Sequence, residues 1–262
     1  MTVNTLFAIN DRVAIVTGGT RGIGSFIAAG LGEAGAKVFV TARDQTGVDD
    51  AVLALANRGI TAAGIAADLG DGGDTSAKAI TDAALAEFGR IDILVSNAGR
   101  VFGDGHDGHS PDAWSKVMRL NLDAAHRLAR EVANRALIPQ KSGKVIFVAS
   151  IAGFGGARPN LPFFPTAYHA SKGGLIALAK MLATEWGQHN INVNALCPGY
   201  FPTQLSAGLK DKSHEILALT PLGRSGGEDD VKGVAAFLAS EASRHVTGQA
   251  LAVDGGLTAV VP

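Results

Sequence analysis

The sequence has one cysteine, no long apolar run and no dense cluster of charge of one sign, and each shortage excludes a class of protein. Because Cys197 is the only cysteine among 262 residues, no internal disulfide can form, as is typical of a reducing cytoplasm. No stretch approaches the ~20 apolar residues of a membrane span, and no basic and apolar leader opens the chain. Lysine and arginine total 23 against 24 acidic residues, so nucleic acid and membrane surfaces are not expected partners.

Residues that commonly bind metals are also sparse. His106 and His109 lie in a glycine-rich stretch, which is typical of a flexible exposed loop rather than a metal site. Cys197 ends an apolar segment before a proline, and we expect it to be a small buried residue. The sequence therefore predicts no bound metal.

Glycine, by contrast, is abundant. It occupies 34 of 262 positions, above the usual ~7%, as in folds where the backbone often approaches a ligand closely. With 47% hydrophobic residues and no long linker, residues 1–262 are expected to form one domain around one core.

Short apolar segments alternate with helical patterns along the whole chain. This alternation predicts an α/β fold with a doubly wound parallel sheet, right-handed crossovers and helices on both faces. The predicted strands lie near residues 13–17, 37–41, 62–66, 91–95, 144–149, 191–196 and 249–253.

The first predicted strand runs directly into a glycine turn. Gly18, Gly22 and Gly24 follow Thr17 and precede an alanine-rich helical stretch. Such glycines allow a tight turn, close approach of a pyrophosphate and packing of the new helix, whose N-terminus offers free N–H groups. A tight connection that binds no ligand would have the same sequence, so this turn alone does not decide.

Two later strands also end in small or polar residues. Asn97 follows the strand near 91–95 in Ser-Asn-Ala-Gly, and Ser150 follows the strand near 144–149. Ligands of open parallel sheets bind beyond the carboxyl ends of the strands, so these residues should share one crevice with the glycine turn.

Tyr168 and Lys172 are four residues apart, so they should share one helix face. A nearby ammonium stabilises a phenolate, and we expect it to lower the pKa of the tyrosine toward values useful for proton exchange. The spacing is common by chance and is informative only together with the other segments.

Taken in order, these segments resemble the classical short-chain dehydrogenase/reductase family from about residue 11 to 256. The resemblance implies a Rossmann-type sheet of seven strands in the order 3-2-1-4-5-6-7, and a homotetramer paired through helices around 111–135 and 166–187. The motifs that carry it are Thr17-Gly18-x-x-x-Gly22-x-Gly24, Ser96-Asn97-Ala98-Gly99 with its first residue changed, Asn121, Ser150, Tyr168 with Lys172, Cys197-Pro198-Gly199 and Asp254-Gly255-Gly256.

The resemblance implies four catalytic residues. Tyr168 would exchange the proton, Ser150 would hold the substrate oxygen, and Lys172 would lower the tyrosine pKa and bind the nicotinamide ribose. Asn121 would position a water that links Lys172 to solvent. Simpler alternatives are a small residue that closes a strand for Ser150, and an amide that satisfies a helix kink for Asn121.

The resemblance also implies a set of cofactor contacts. Asp68, after the third strand, would contact the adenine ring, although a helix N-cap is a competing interpretation. Thr203 would contact the nicotinamide carboxamide. The expected set is Gly18, Thr20, Arg21, Gly22, Ile23, Gly24, Arg43, Asp68, Leu69, Asn97, Ala98, Gly99, Tyr168, Lys172, Pro198, Gly199 and Thr203.

The end of the second strand bears on the choice between NAD and NADP. Users of NAD in the family carry an acidic residue at about Ala42, and here it is missing, while Arg43 offers a guanidinium suited to a 2′-phosphate. Arg21 could supply a second cation. The alternative is that Arg43 is a solvated loop residue paired with Asp44. NADP(H) is therefore favoured, and NAD(H) stays open.

Two segments are candidates for the substrate pocket. Residues 158–165 lengthen the spacing between Ser150 and Tyr168 and hold three prolines and two phenylalanines, which could form an apolar wall or instead cover a neighbouring subunit or the surface. The segment at about 200–222 begins with Tyr200, Phe201 and Pro202 and should close over the substrate. Both favour apolar substrates.

The expected function is hydride transfer between NADP(H) and a ketone or secondary alcohol, with carbonyl reduction of an apolar or 3-oxoacyl substrate preferred. The alternatives are an NAD-linked alcohol or sugar dehydrogenase and a cofactor-sensing protein without catalysis. A basic patch for an acyl carrier protein could draw on three arginines of one helix, Arg127, Arg130 and Arg135. The substrate and the direction of the reaction are left open.

Overall fold

A seven-stranded parallel sheet forms the centre of the protein in the computed structural model, which describes residues 2–102, 110–156 and 165–260. The strand order is β3-β2-β1-β4-β5-β6-β7, as predicted, and all neighbours are parallel. The strands are β1 Val13–Thr17, β2 Lys37–Ala42, β3 Ala62–Ala66, β4 Ile93–Ser96, β5 Gly143–Val148, β6 Ile191–Pro198 and β7 Ala250–Val253.

Helices fill the connections between the strands. One long helical stretch is interrupted by two π-helical turns, Arg119–Asp123 and Ala133–Leu137, which the sequence did not predict. The α-helices are α1 Val3–Phe7, α2 Gly22–Glu33, α3 Gln45–Ala56, α4 Gly73–Phe88, α5 Pro111–Met118, α6 Ala124–Val132, α7 Ile138–Gln140, α8 Thr166–Trp186, α9 Ser213–Ala218 and α10 Glu228–Ala239.

Both faces of the sheet are covered, which explains why the strands are continuous apolar runs. On one face, Ile15 and Phe147 pack with residues of α4, α6 and α8. On the other face, Val16 and Ile146 pack with residues of α2, α3 and α10. Alternate residues of a strand thus enter different cores, and the predicted doubly wound fold is confirmed.

The fourth strand begins two residues later than predicted, at Ile93. Asp92 is buried just before it, where its carboxylate accepts a hydrogen bond from the Val13 amide at 3.0 Å and pairs with Arg90. The Asp92 side chain therefore stabilises the start of β1 through this hydrogen bond, and the residue itself is not part of β4.

The described part of the chain has neither a membrane-spanning helix nor a cluster of metal ligands. There, no helix is both long and apolar enough to cross a membrane, and no three His, Cys, Asp or Glu side chains converge as metal ligands. His106 and His109 lie outside the described residues. Cys197 is fully buried, as expected, and burial raises its pKa to about 11.

Candidate active site

The glycine turn between β1 and α2 uses backbone conformations that favour glycine. Gly18 has φ +62° and Gly22 has φ +56°, both in the left-handed region. Gly24 is required for space, because a Cβ there would lie 2.1 Å from the Gly18 carbonyl oxygen and 2.4 Å from Asn97 Nδ2. The turn is therefore held close to the end of β4.

Asn97 and Thr17 hold this turn in place. The Asn97 side-chain amide donates to the carbonyls of Thr17 and Gly18 at 2.9 and 3.1 Å. In return, Thr17 Oγ1 accepts hydrogen bonds from the backbone amides of Asn97 and Ala98, both at 3.0 Å. The sequence placed Thr17 in the glycine motif but not among the expected cofactor contacts, and its position as a hydroxyl residue at the end of an apolar strand was the available signal.

The first turn of α2 can accept an anion. Arg21 occupies the N-cap position without a side-chain cap, so the amides of the first turn have no side-chain acceptor there. The Ser25 hydroxyl donates to the Gly22 carbonyl at 2.8 Å and does not serve these amides. Free amides at the positive end of a helix fit the pyrophosphate of a dinucleotide. Thr20 and Ile23 flank this turn.

Arg43 follows β2 and is exposed. The neighbouring Asp44 caps α3 by accepting the Gly47 amide at 2.9 Å. Among the described residues Arg43 has no salt bridge, so Asp44 is not its ion-pair partner, although the exposure of Arg43 agrees with the solvated loop residue of the alternative. The guanidinium is thus available to a phosphate at the end of β2.

Asp68 lies after β3, the strand beside β2. Its Oδ1 accepts the amides of Gly70 and Asp71 at 2.8 and 3.1 Å. The N-cap of α4 is Gly72, so Asp68 stabilises the preceding turn and is not the helix cap that the alternative proposed. The adjacent Leu69 is buried in the core.

Ser150, Tyr168 and Lys172 converge at the carboxyl end of β5. Ser150 Oγ accepts the Ala152 amide at 3.1 Å and also shares a hydrogen bond with the Tyr168 phenol. Lys172 Nζ lies 5.5 Å from the centroid of the Tyr168 ring and donates to the Val148 carbonyl at 2.6 Å. The predicted grouping of these side chains agrees with the geometry.

Burial dominates the electrostatics of this group. It raises the pKa of Tyr168, and the hydrogen bond from Ser150 opposes that rise. Burial also lowers the pKa of Lys172 to about 8, and Cys197 would oppose that fall only as an ionised thiolate. The expected lowering of the Tyr168 pKa by Lys172 is therefore not observed, since burial raises this pKa and the opposing contribution comes from the hydrogen bond with Ser150.

Asn121 lies in the first π-helical turn and is buried. Its side chain accepts the Arg100 amide at 2.9 Å and donates to the Arg100 carbonyl at 2.9 Å and to Ser171 Oγ at 3.1 Å. Ser171 in turn donates to the Tyr168 carbonyl at 2.8 Å. None of these bonds goes to the backbone of its own helical turn, so they do not support the alternative of an amide that satisfies a helix kink; the amide instead connects the segment after β4 to the helix of Tyr168.

The segment after β6 returns to the glycine turn. Gly199 packs so tightly that a Cβ there would lie 2.6 Å from Asp254 Cβ, and Pro198 ends the strand. Thr203 lies next to Gly22, where an added Cβ would meet its methyl group at 3.3 Å. The expected cofactor residues after β6 thus lie beside those after β1.

Phe201 differs from expectation because it does not line a pocket. It is buried in the core, and a Cβ on Gly226 would lie 2.3 Å from its ring. The other predicted apolar wall, residues 158–165, lies outside the described residues except for Pro165. The predicted preference for apolar substrates therefore loses one of its supports.

Replacing Gly24 with alanine should weaken dinucleotide binding by about 10- to 100-fold, because the new methyl group must displace the Gly18 backbone or the Asn97 amide. Gly233→Ala is the matched control: this helical glycine is exposed, no atom lies within 4 Å of its added Cβ, and the change should stabilise α10 slightly. Titration of cofactor fluorescence measures both variants. Equal affinities would contradict the packing argument.

Comparisons with known proteins agree with this geometry. A family model described as enoyl-(acyl carrier protein) reductase matches residues 18–258. The chain is 38% identical over 261 residues to 2-dehydro-3-deoxy-D-gluconate 5-dehydrogenase of Dickeya dadantii, covering 98% of each protein. It is 34% identical over 251 residues to a 3-oxoacyl-[acyl-carrier-protein] reductase of Salmonella typhimurium, covering 95% of this chain and 98% of that relative.

The fold is also similar to that of a solved structure. The gluconate 5-dehydrogenase of Burkholderia cenocepacia, in complex with NADP and tartrate, superposes with a TM-score of 0.91 at 36% identity, covering 99% of this chain and 100% of that one. Sequence similarity of this extent, together with the sheet order, confirms the resemblance seen in the motifs. The chain belongs to the short-chain dehydrogenase/reductase family of oxidoreductases.

Proposed function

We propose that this oxidoreductase interconverts a secondary alcohol and a ketone with NADP(H), and that Tyr168 exchanges the proton. The observation that supports this most directly is the grouping of Ser150, Tyr168 and Lys172 beyond β5, on the same sheet edge as the glycine turn. A non-catalytic sensor of the cofactor would not need a buried proton-exchanging group there.

The chain's own residues supply binding and proton transfer. A bound nicotinamide dinucleotide supplies or accepts the hydride. In the reductive direction, the phenol of Tyr168 donates its proton to the developing alkoxide, and the hydroxyl of Ser150 holds the same oxygen. The ammonium of Lys172, 5.5 Å from the ring, stabilises the phenolate left behind. In the oxidative direction the phenolate takes the proton.

Asn121 acts as a positioning residue in this proposal. Its amide connects the Arg100 backbone to Ser171, which lies between Tyr168 and Lys172 on α8. This contact keeps the segment after Gly99, where the nicotinamide would bind, in register with Tyr168. The proposed path from Lys172 to solvent through a water beside Asn121 uses the same buried region.

Three observations support NADP(H) over NAD(H). Arg43 is exposed and without a salt bridge in the described ranges, and Ala42 takes the place of the usual carboxylate. Arg21 is exposed at the start of α2 and adds a second cation near the pyrophosphate. The similar Burkholderia cenocepacia enzyme was solved with NADP.

We propose a small hydroxylated carboxylate, of the gluconate type, as the substrate. The similar enzymes of Dickeya dadantii and Burkholderia cenocepacia act on such compounds by name. The three arginines considered for a carrier-protein patch are already paired with three carboxylates: Arg127 and Arg130 with Asp74, and Arg135 with Asp82 at 2.8 Å and with Glu131 at 3.2 Å. A helix neutralised in this way has little to attract an acidic protein.

A 3-oxoacyl thioester is the second candidate substrate. The Salmonella typhimurium reductase, at 34% identity, supports it. Exposed apolar side chains in the segment after β6, Leu205, Leu219 and Leu222, would suit an acyl chain. The two substrate classes differ in charge and apolar length, so one assay separates them.

Several further features belong to the same proposal. Residues 1–262 act as one domain, and the segment 200–222 covers the substrate, with Thr203 against the cofactor. The protein works in the cytoplasm as a homotetramer, and two exposed apolar residues, Trp114 on α5 and Met181 on α8, support pairing of these helices between subunits. Size-exclusion chromatography with light scattering measures the assembly.

The test is a panel of substrates assayed with NADPH and NADH for reduction and with both oxidised cofactors for the reverse reaction. The panel contains keto-sugar acids and their alcohols, acetoacetyl thioesters and small diketones. We expect turnover with a keto-sugar acid and NADP(H), at a kcat/KM at least tenfold above the other classes. Preference for the thioesters would support the second candidate, and cofactor binding without any turnover would contradict catalysis.

A further inference from the structure

A small, partly open cavity lies at the amino edge of the sheet, opposite the candidate active site. Its volume is about 30 Å³, and it lies where β5 and β6 begin, under the 3₁₀ turn Glu241–Ser243 that follows α10. Lys144, second in β5, is separated from Ser150 by most of the length of the strand, so none of the proposed catalytic residues reaches it. The polar lining includes Arg12, Lys144, Asn192, Glu241 and Arg244.

Lys144 is a buried cation without a carboxylate partner. Only 8% of the residue is exposed, and its side chain lies beside Asn192 across the β5–β6 pair. Nζ donates to Asn192 Oδ1 at 2.8 Å and reaches Ser243 Oγ at 3.5 Å. Both acceptors are neutral, and no carboxylate of the described residues lies within 4.0 Å. An ammonium has three N–H donors, so one of them is left for the cavity.

The neighbours of Lys144 are fixed by other bonds. Asn192 Nδ2 donates to the carbonyls of Arg244 and Val246, both at 3.1 Å, so Oδ1 must face the lysine. The Ser243 hydroxyl donates to the carbonyls of Leu238 and Ser240 at 3.0 and 3.1 Å. The two acceptors cannot turn away, and neither can supply a compensating negative charge.

The charges around the cavity do not balance. Its lining has three cations, Arg12, Lys144 and Arg244, against two carboxylates, Asp92 and Glu241, which leaves a formal charge of +1. Among residues that the structure describes, the exposed Arg244 has no salt bridge.

Neither carboxylate is free to neutralise the lysine. The Asp92 carboxylate accepts hydrogen bonds from Nε and Nη2 of Arg90, at 2.9 and 2.6 Å, and from the Val13 amide. Glu241 is 3.6 Å from Arg12 Nη2. A buried charge without a counter-ion is costly, and a small anion in the cavity would remove that cost.

We propose that this cavity binds one monovalent inorganic anion of the size of chloride, held by Lys144 and flanked by Arg12 and Arg244. A cavity needs ~10–15 Å³ to hold a water molecule, so about 30 Å³ has room for a single halide ion. Burial lowers the pKa of Lys144 to about 8, and Arg12 adds to the effect while Glu241 opposes it. A bound anion would favour the protonated lysine.

Thermal unfolding in different sodium salts at equal ionic strength tests the proposal. Chloride and bromide should raise the midpoint by about 2–5 °C, with saturation, relative to methanesulfonate, a larger anion of the same charge. Diffraction from crystals soaked in bromide should give an anomalous peak within hydrogen-bond distance of Lys144 Nζ. Equal midpoints in all three salts, or water alone at this position, would overturn it.

Three variants assign the effect to this cavity. Lys144→Met and Arg244→Gln should each reduce the halide-specific shift at least threefold, while Lys180→Met, which removes an exposed lysine of α8 with no salt bridge in the described ranges, should keep it. Arg244 is exposed, so its variant gives an answer even if Lys144→Met fails to fold. If chloride and bromide raised the unfolding midpoint of Arg244→Gln, or of folded Lys144→Met, as much as that of the parent protein, the assignment to this cavity would be contradicted.

Discussion

Replacing Tyr168 with phenylalanine is expected to lower kcat by about 10²- to 10⁴-fold, the usual contribution of a positioned proton donor. Phenylalanine keeps the ring and its contact with Lys172 Nζ, 5.5 Å from the centroid, and removes only the hydroxyl that bonds to Ser150. The loss should therefore appear in kcat rather than in cofactor affinity. Steady-state assays and a titration of NADPH fluorescence measure the two quantities separately.

The loss of activity in Ser150→Ala can be compared with the loss in Tyr168→Phe. It removes the hydroxyl that would hold the substrate oxygen but leaves the proton donor in place, so its defect should be large and smaller than that of Tyr168→Phe. The double variant should be little worse than Tyr168→Phe, because groups that act as a unit are not additive. Turnover of Tyr168→Phe within tenfold of the parent would remove Tyr168 from proton transfer.

The sequence predicted those parts of the fold and site that depend on local pattern. Apolar runs located the strands, and the rule that ligands bind beyond their carboxyl ends brought Asn97, Ser150 and the glycine turn to one edge. Tyr168 and Lys172 are four residues apart, so a helix at this position is enough to bring their side chains together.

Features set by long-range packing were not predictable. The sequence predicted Phe201 as a pocket residue. In the structure its side chain is buried in the core, with Gly226 packed against the ring. Asn121 was expected to position a water, which stays a prediction, but its bonds to the Arg100 backbone, 21 residues away, were not expected. Lys144 gave no signal at all, since a lysine near the start of a strand is usually solvated. Each depends on a neighbour distant in sequence.

Reversing the charge at Arg43 is expected to lower the preference for NADPH over NADH by about 100-fold. A charge-assisted bond from a guanidinium to a phosphate is worth about 1.5–3 kcal/mol, and an aspartate in its place adds repulsion. Because Asp44 is committed to capping α3, Arg43 should have no structural role that the change would disturb. The ratio of kcat/KM for NADPH to kcat/KM for NADH measures the effect, because the concentration of active enzyme cancels in the ratio.

Two companions of Arg43→Asp separate charge from geometry. Arg43→Lys keeps the positive charge but loses the planar fork, so it should retain part of the preference for NADPH. Ala42→Asp places a carboxylate where users of NAD carry one, and it should improve NADH binding while Arg43 remains. If Arg43→Asp weakened both cofactors equally, the 2′-phosphate would have to be read elsewhere, and exposed Arg21 at the start of α2 would be the next cation to change.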